Sequence, residues 1–168
     1  MNADPGGLTV RIDDHRMEVA MTGGGEFTVP VGPALLVDTA LQGADPPAPH
    51  MLTNALGLVQ DHLDDLIIEA PSIAAAPSVV ATGPYAVAMA RVEIGADTVP
   101  DDYVLHRADA DEVFRTLAVE PVADRRHNPG LDDTHAESII GTCCVILGIM
   151  RRLELSSIAV RPDDRPIG

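Results

Sequence analysis

Several side-chain clusters in this sequence are of types that hold or move charge. Asp13-Asp14-His15-Arg16 sets two carboxylates, an imidazole and a guanidinium in succession, with Glu18 just beyond. Carboxylate oxygens and an imidazole can together hold a divalent cation. The same residues make a polar turn between two short apolar stretches, and a solvated hairpin turn is the preferred reading. Arg125-Arg126-His127, with Arg151-Arg152 further on, can form an anion patch, although paired arginines on an acidic chain more often balance charge. His135 and Glu137 stand two apart at a helix start, and such positions do not share a helix face, so capping and surface roles are preferred to an acid–base pair. Asp101-Asp102 reads as a solvated loop. There is no Ser-His-Asp elbow, no Cys-x-x-Cys pair and no Walker loop.

Composition narrows the field. The chain has 168 residues, 46% hydrophobic and 22% charged, enough for one domain with a substantial core. Residues 1–168 are therefore expected to form a single domain, with 1–7 and 161–168 as loose tails. The net charge of -15 argues against nucleic acid and anionic membranes as partners. All the cations are Arg, and aromatics make up only 2% with no Trp, so no stacking platform for single strands is supplied. No apolar run approaches the roughly 18 residues of a membrane span. MNADPGGLTV carries no basic, apolar signal region, and a cytoplasmic location is expected. Cys143 and Cys144 are adjacent in an apolar helix, where their side chains diverge, so small buried core residues are expected rather than a disulfide.

These clusters hang on a readable series of elements. The stretch 129–160 is the most informative: a Pro129-Gly130 turn, a helix that Asp132 or Asp133 can cap with Glu137 in its first turns, apolar on nearly every side from Ile139 to Met150, closed by Arg151 and Arg152, then a strand from Ser157 to Val160. A helix apolar all round must be covered by other layers. Leu8–Ile12, Met17–Met21 and Glu26–Val31 read as an antiparallel meander whose second turn is Thr22-Gly23-Gly24-Gly25; Pro30 suits an edge or a strand end. Ala34–Leu41 reads as a short helix and Met51–Ile68 as a long amphipathic one. Ser78–Ala81 is a buried strand, Tyr85–Val92 is weakly helical and 97–104 is loop. Asp109 or Asp111 caps a helix through Leu117, and 120–128 is a polar helix or turn. The order β-β-β-α-β-α-α-β predicts an α/β domain with a mixed five-stranded sheet, three strands antiparallel and then parallel ones, and helices on both faces.

Pro129-Gly130-Leu131, then His135-Ala136-Glu137, two aliphatics, Gly141, a small apolar run and Met150-Arg151-Arg152-Leu153 resemble the end of the second domain of exopolyphosphatases and guanosine pentaphosphate phosphatases. That family belongs to the actin-like, ribonuclease-H-like superfamily. Val29-Pro30-Val31-Gly32 resembles its Leu-Pro-Leu-Gly turn, Val80–Met89 its second loop, Tyr103–Val113 its histidine-containing segment with His106 on the family histidine, and Asp124-Arg125-Arg126 its Glu-Arg-Arg. The resemblance implies a single actin-like domain.

It also implies where a phosphate loop should lie, and there the sequence departs. Counting back from Val29, the loop falls on 11–18, where only Ile12 and Glu18 keep their family types; the metal-associated Asp is Arg11. Asp13, Asp14, His15, Arg16, Glu18 and Gly83 are thus the loop remnants. Glycines normally let backbone N–H groups approach the phosphate, and two aspartates remove that freedom and add repulsion. In the alternative alignment Gly23–Gly25 is the loop, followed by Glu26-Phe27 in place of Ser-Thr. Pro84 stands where a small hydroxyl residue is usual in the second loop. The family's catalytic glutamate and first phosphate loop belong to a preceding domain outside these residues. The expectation is a degenerate domain, non-catalytic alone and without cofactor, acting as a binding, regulatory or oligomerising module. A homodimer or a protein partner is expected to cover the face left by the missing domain. The alternative is a hydrolase of polyphosphate or guanosine pentaphosphate, with Mg²⁺, when paired with a separate first domain; a small-ligand sensor using the cleft near Gly83 and Arg16 is a weaker third.

Overall fold

The computed structural model describes residues 7–162. Its strands are β1 (Leu8–Ile12), β2 (Met17–Met21), β3 (Glu26–Val29), β4 (Val79–Thr82), β5 (Val104–His106) and β6 (Ser157–Arg161). Its helices are α1 (Pro33–Asp38), α2 (Pro49–Glu69), α3 (Pro84–Ile94), α4 (Arg107–Ala118), α5 (Val122–Arg125) and α6 (Ile139–Arg152). The strands form one mixed sheet in the order β3-β2-β1-β4-β6-β5. β1, β4 and β6 run parallel, while β2 and β5 oppose their neighbours and β3 opposes β2. This is the α/β arrangement with a mixed sheet that was expected, with six strands rather than five.

The additional strand is β5, three residues at the sheet edge with only Leu105 buried. It is held by pairing with β6, a contact far along the chain, and three residues are too few to show an alternation. The tails expected at 1–7 and 161–168 lie outside the described residues except for Gly7, Arg161 and Pro162; Arg161 is the last residue of β6, and Gly7 accepts a hydrogen bond from Thr22 N.

α6 is the pillar. All residues from Ile139 to Met150 are buried, and α1, α2, α3 and α4 pack around it. Burying each large aliphatic side chain is worth about 1.5–3 kcal/mol, so this one element carries much of the core. Gly148 lets α2 approach: a Cβ there would lie 2.9 Å from Val59 Cβ. The helix starts later than the sequence suggests. Neither Asp132 nor Asp133 caps it; residues 133–138 form turns, and Ser138 is its N-cap without a side-chain bond. Likewise neither Asp109 nor Asp111 caps α4, whose N-cap is His106.

Helices on both faces were expected, and here the structure differs. Apart from Thr82, every buried strand residue points to one face: Leu8, Val10, Ile12, Met17, Val19, Val29, Val79, Ala81, Leu105, Ile158 and Val160. Ile149 and Leu153 of the α6 segment and Leu63 and Leu66 of α2 meet Leu8, Val10, Met17 and Val19 on that same face. The physical reason is chirality. The crossovers β3 to β4, through α1 and α2, and β4 to β6 both step the same way across parallel strands, and right-handed crossovers then place both sets of helices on one side. No described helix is long and apolar enough to cross a membrane.

Candidate functional site

Parallel strands β1 and β4 end side by side, and the crevice beyond the carboxyl ends of such strands is where open α/β sheets bind ligands. Two connections meet there: the β1–β2 hairpin 13–16 and the Gly83 turn into α3. The hairpin is closed by Asp13 N–H donating to Arg16 O at 2.9 Å. Asp13, Asp14, His15 and Arg16 line an open cavity of about 290 Å³. These expected site residues are therefore brought together, with Gly83 beneath them. Gly83 has φ +97°, a left-handed conformation suited to glycine, and Arg11 lies across it: a Cβ on Gly83 would meet Ile12 O at 3.1 Å and Arg11 Nη1 at 3.2 Å. Glu18 sits one strand over, opposite Arg11 and 3.7 Å from Arg16 Nε.

Asp14 anchors the hairpin twice. Its backbone oxygen accepts from Ala34 N (2.9 Å) and Leu35 N (3.2 Å), satisfying the first turn of α1. Its carboxylate accepts a hydrogen bond from the Tyr85 phenol. Asp13 instead pairs with Arg11, Nη2 to Oδ1 at 3.3 Å. Burial pushes the Asp13 carboxyl above its ordinary range, against the pull of Arg11. Gly32 touches the hairpin so closely that a Cβ would clash with Asp13 O and lie 2.7 Å from Asp14 O.

The network continues past Tyr85. Its ring meets that of His135 edge-on, with centroids 5.4 Å apart. His135 contacts Asp132 Oδ1 through both Nδ1 (2.8 Å) and its backbone N–H (2.9 Å), and Arg91 Nη1 lies 3.9 Å from Asp132 Oδ2. Burial disfavours the Asp132 carboxylate, but the hydrogen bonds from His135 and the charge of Arg91 outweigh it and hold the carboxyl below its usual range. Burial and the bond to Asp14 push the Tyr85 phenol well up. Sequence reading missed Tyr85 and the His135–Asp132 pair; the available signal was a tyrosine directly after the Gly83-Pro84 strand stop. Glu137, in contrast, lines a different cavity of about 330 Å³ beside Arg125 and Asp45.

The anion patch does not assemble. Arg125 is 2% exposed, and its guanidinium donates to Leu117 O (3.3 Å), Ala136 O (3.0 Å) and Glu120 O (2.8 Å). Its burial is what lowers its affinity for the proton, and its N–H groups hold a loop rather than a ligand. Arg126 and His127 are exposed beside it. Arg151 pairs with Asp111 at 3.1 Å, and Arg152 with Asp64. Gly23–Gly25 form an ordinary β2–β3 turn at the opposite end of the sheet, Gly24 N–H donating to Met21 O. Cys143 and Cys144 are free thiols buried in α6.

What this crevice can do follows from its donors. Several amides around it are engaged by the chain itself: Asp13 N by Arg16 O, and Ala34 N and Leu35 N by Asp14 O. Two carboxylates line it beside Arg16 and His15, and each repels an anion at 4 Å by roughly 1–4 kcal/mol depending on screening, offset in part by the Arg16 guanidinium. Nor do these residues fit Mg²⁺: Asp13 is tied to Arg11 and Asp14 to Tyr85, and among the described residues no three His, Cys, Asp or Glu are grouped to hold a metal.

No protein-family model matches the sequence, and no curated protein sequence matches it. Solved structures do. An exopolyphosphatase-like protein superposes with a TM-score of 0.83 over 96% of this chain and 58% of its own, at 18% identity. The fold is that of the exopolyphosphatases. The Aquifex aeolicus Ppx/GppA phosphatase matches at 0.81 and 16% identity, covering 93% of this chain and 53% of its own. An exopolyphosphatase from Cytophaga hutchinsonii matches at 0.71 and 13% identity, covering 95% and 55%. This chain thus spans a little over half the length of the exopolyphosphatase-fold proteins it matches, as the resemblance to one of their domains implied.

Proposed function

We propose that this chain is a degenerate second domain of the exopolyphosphatase type, non-catalytic by itself, that works as a binding or oligomerising module. The observation that carries this reading is the double anchoring of Asp14. Its carbonyl occupies the amides of α1 and its carboxylate is bonded to Tyr85, so the hairpin at the ends of β1 and β4 is fastened to the protein and presents carboxylates where a phosphate grip needs free amides. The test is phosphate release from polyphosphate and guanosine pentaphosphate with Mg²⁺. The purified chain is assayed alone and with a separately expressed exopolyphosphatase first domain. No release above buffer is expected in either case. Turnover by the purified chain that disappears in Asp14→Ala overturns the reading, and release only in the mixture establishes the hydrolase in trans instead.

A further inference from the structure

One face of the sheet has no helix over it among the described residues, and the strand register states what it displays. One row across the sheet runs Glu26, Ala20, Thr9, Val80, Ala159, Val104, from β3 to β5. The neighbouring row runs Thr28, Glu18, Arg11, Thr82, Arg161. Of these eleven residues only Thr82 is buried. The first row is small and apolar at its centre. The second puts an acid on β2 and a base on β6, at equal distances from the line between β1 and β4.

We propose that this face is an interface between two copies of this chain, packed sheet on sheet about a two-fold axis running along the strands between β1 and β4. This rests on the reading of the chain as an assembling module and names the surface that assembles. An axis so placed exchanges β1 with β4, β2 with β6 and β3 with β5, and keeps each row in place. Glu18 then faces Arg161 of the second copy, Ala20 faces Ala159, and Thr9 faces Val80. Because the contact is isologous, each pairing occurs twice. The small side chains on Ala20, Thr9 and Ala159 let the sheets approach, and the crossing of about 30° usual for aligned sheets inclines the axis by about 15° to the strands. Glu18 and Arg161 each sit about 7 Å from the axis, one and a half strand spacings, where that twist displaces them little. Turning the second copy about an axis across the strands instead stacks Glu18 near Glu18 and Arg161 near Arg161.

Arg161 is held ready. Its Nη1 donates to Tyr103 O (2.6 Å) and Val160 O (2.8 Å), which fixes the guanidinium beside the sheet with three of its five N–H groups on other nitrogens. Glu18 also has Arg16 and Arg11 as neighbours on its own copy. A lasting apolar partner fits this surface less well, since Val80 and Val104 are its only aliphatic side chains larger than Ala. The size sets the strength: six strands about 4.8 Å apart and five residues of about 3.3 Å give roughly 400 Å² in plan. That is about half of the ~800 Å² per partner of a standard stable interface, so the dimer is weak and depends on concentration.

Sedimentation equilibrium across micromolar to millimolar chain tests this. The wild type should dimerise reversibly. Glu18→Arg or Arg161→Glu alone should weaken the dimer about ten-fold or more, and the two together should restore it. Because Glu18→Arg sets a second cation beside Arg11 and can unfold the chain, a separate measurement uses Ala20→Cys and Ala159→Cys. A short bis-maleimide should join the two variants to each other when mixed, and neither to itself, since copies of position 20 lie about three strand spacings apart across the interface. Cys143 and Cys144 are buried and stay unmodified. A strict monomer, a dimer indifferent to both charge reversals, or preferential self-linking of Ala20→Cys overturns this interface; association by another surface leaves the assembling module standing, and turnover in the hydrolysis assay ends that reading whatever the interface does.

Discussion

The Tyr85 phenol donates its proton to the Asp14 carboxylate, tying the first turn of α3 to the hairpin that follows β1. The two residues are 71 apart in sequence, and each belongs to a connection that leaves the carboxyl end of a parallel strand. Tyr85→Phe keeps the ring against His135 and removes only this bond. A hydrogen bond to a charged acceptor is worth about 1.5–3 kcal/mol, and partial exposure reduces that to about 1 kcal/mol here. The melting temperature should fall by about 2–4 °C. No change in thermal melting for Tyr85→Phe, Asp14→Asn or the pair means the bond does not form in solution.

Both tyrosines donate to carboxylates, Tyr85 to Asp14 and Tyr103 to Glu93 at 2.6 Å. Burial first, and then these bonds, raise both phenols above their ordinary value of 10.0. A phenol raised on folding holds its proton more tightly in the folded chain. Its contribution is therefore complete below the unfolded value and is lost as pH climbs beyond it. Stability should be level to about pH 10 and then decline. The chain has two Tyr and no Trp, so the tyrosinate absorbance reports only these two groups. It should appear together with unfolding; tyrosinate rising near pH 10 in a folded chain contradicts this.

Arg125 is the fastener of the 117–136 segment. Arg125→Ala leaves the carbonyls of Leu117, Glu120 and Ala136 without their donor, at about 1 kcal/mol or more each, so a loss of about 3 kcal/mol is expected. Arg125→Lys should recover little, because a single ammonium cannot span a planar fork of acceptors. Arg126→Ala, one residue on and exposed, should stay within about 0.5 kcal/mol of wild type. Chemical denaturation compares the three, and equal effects at 125 and 126 refute the assignment.

Gly148→Ala drives a methyl into Val59 across the α2–α6 contact and should cost about 1–3 kcal/mol. Val59→Ala makes room for it. The double variant should be more stable than the sum of the single losses predicts, and strict additivity argues against contact between the two positions.

Burial pushes the Cys144 thiol up to about 12, and Cys143 is raised well above its usual value for the same reason, further opposed as a thiolate by its neighbour. A thiol reagent at neutral pH should find no reactive cysteine in the folded chain and both after denaturation. Rapid native labelling of either counts against a closed α6.

Much of this molecule could be read from its sequence, for reasons that vary by element. α6 announces itself because a stretch of twelve residues, Ile139 to Met150, with no charge and a single hydroxyl can only be central. The meander is visible because short alternating runs are separated by turn residues. β5 is invisible because three residues carry no period and its pairing with β6 is remote in sequence. The uncovered sheet face escaped because helix placement depends on crossover direction, a property of topology rather than of composition. Within the site, the hairpin 13–16 was legible through spacing from Val29, and Gly83 through the resemblance of Val80–Met89 to a family loop. Tyr85 was not, because its phenol finds Asp14 only once β1 and β4 lie side by side. Arg125 misled because a guanidinium among polar neighbours looks exposed, and nothing local shows that three carbonyls converge on it.

Gly32 abuts the carbonyls of Asp13 and Asp14, and the latter seats the first amides of α1. Hairpin and helix are therefore cast as one piece. Glycines at 13–16 would keep the carbonyl at position 14, but a loop refolded to turn its N–H groups toward an anion would carry that carbonyl away from Ala34 and Leu35. Any engineering of an anion site here must redesign the start of α1 along with the loop.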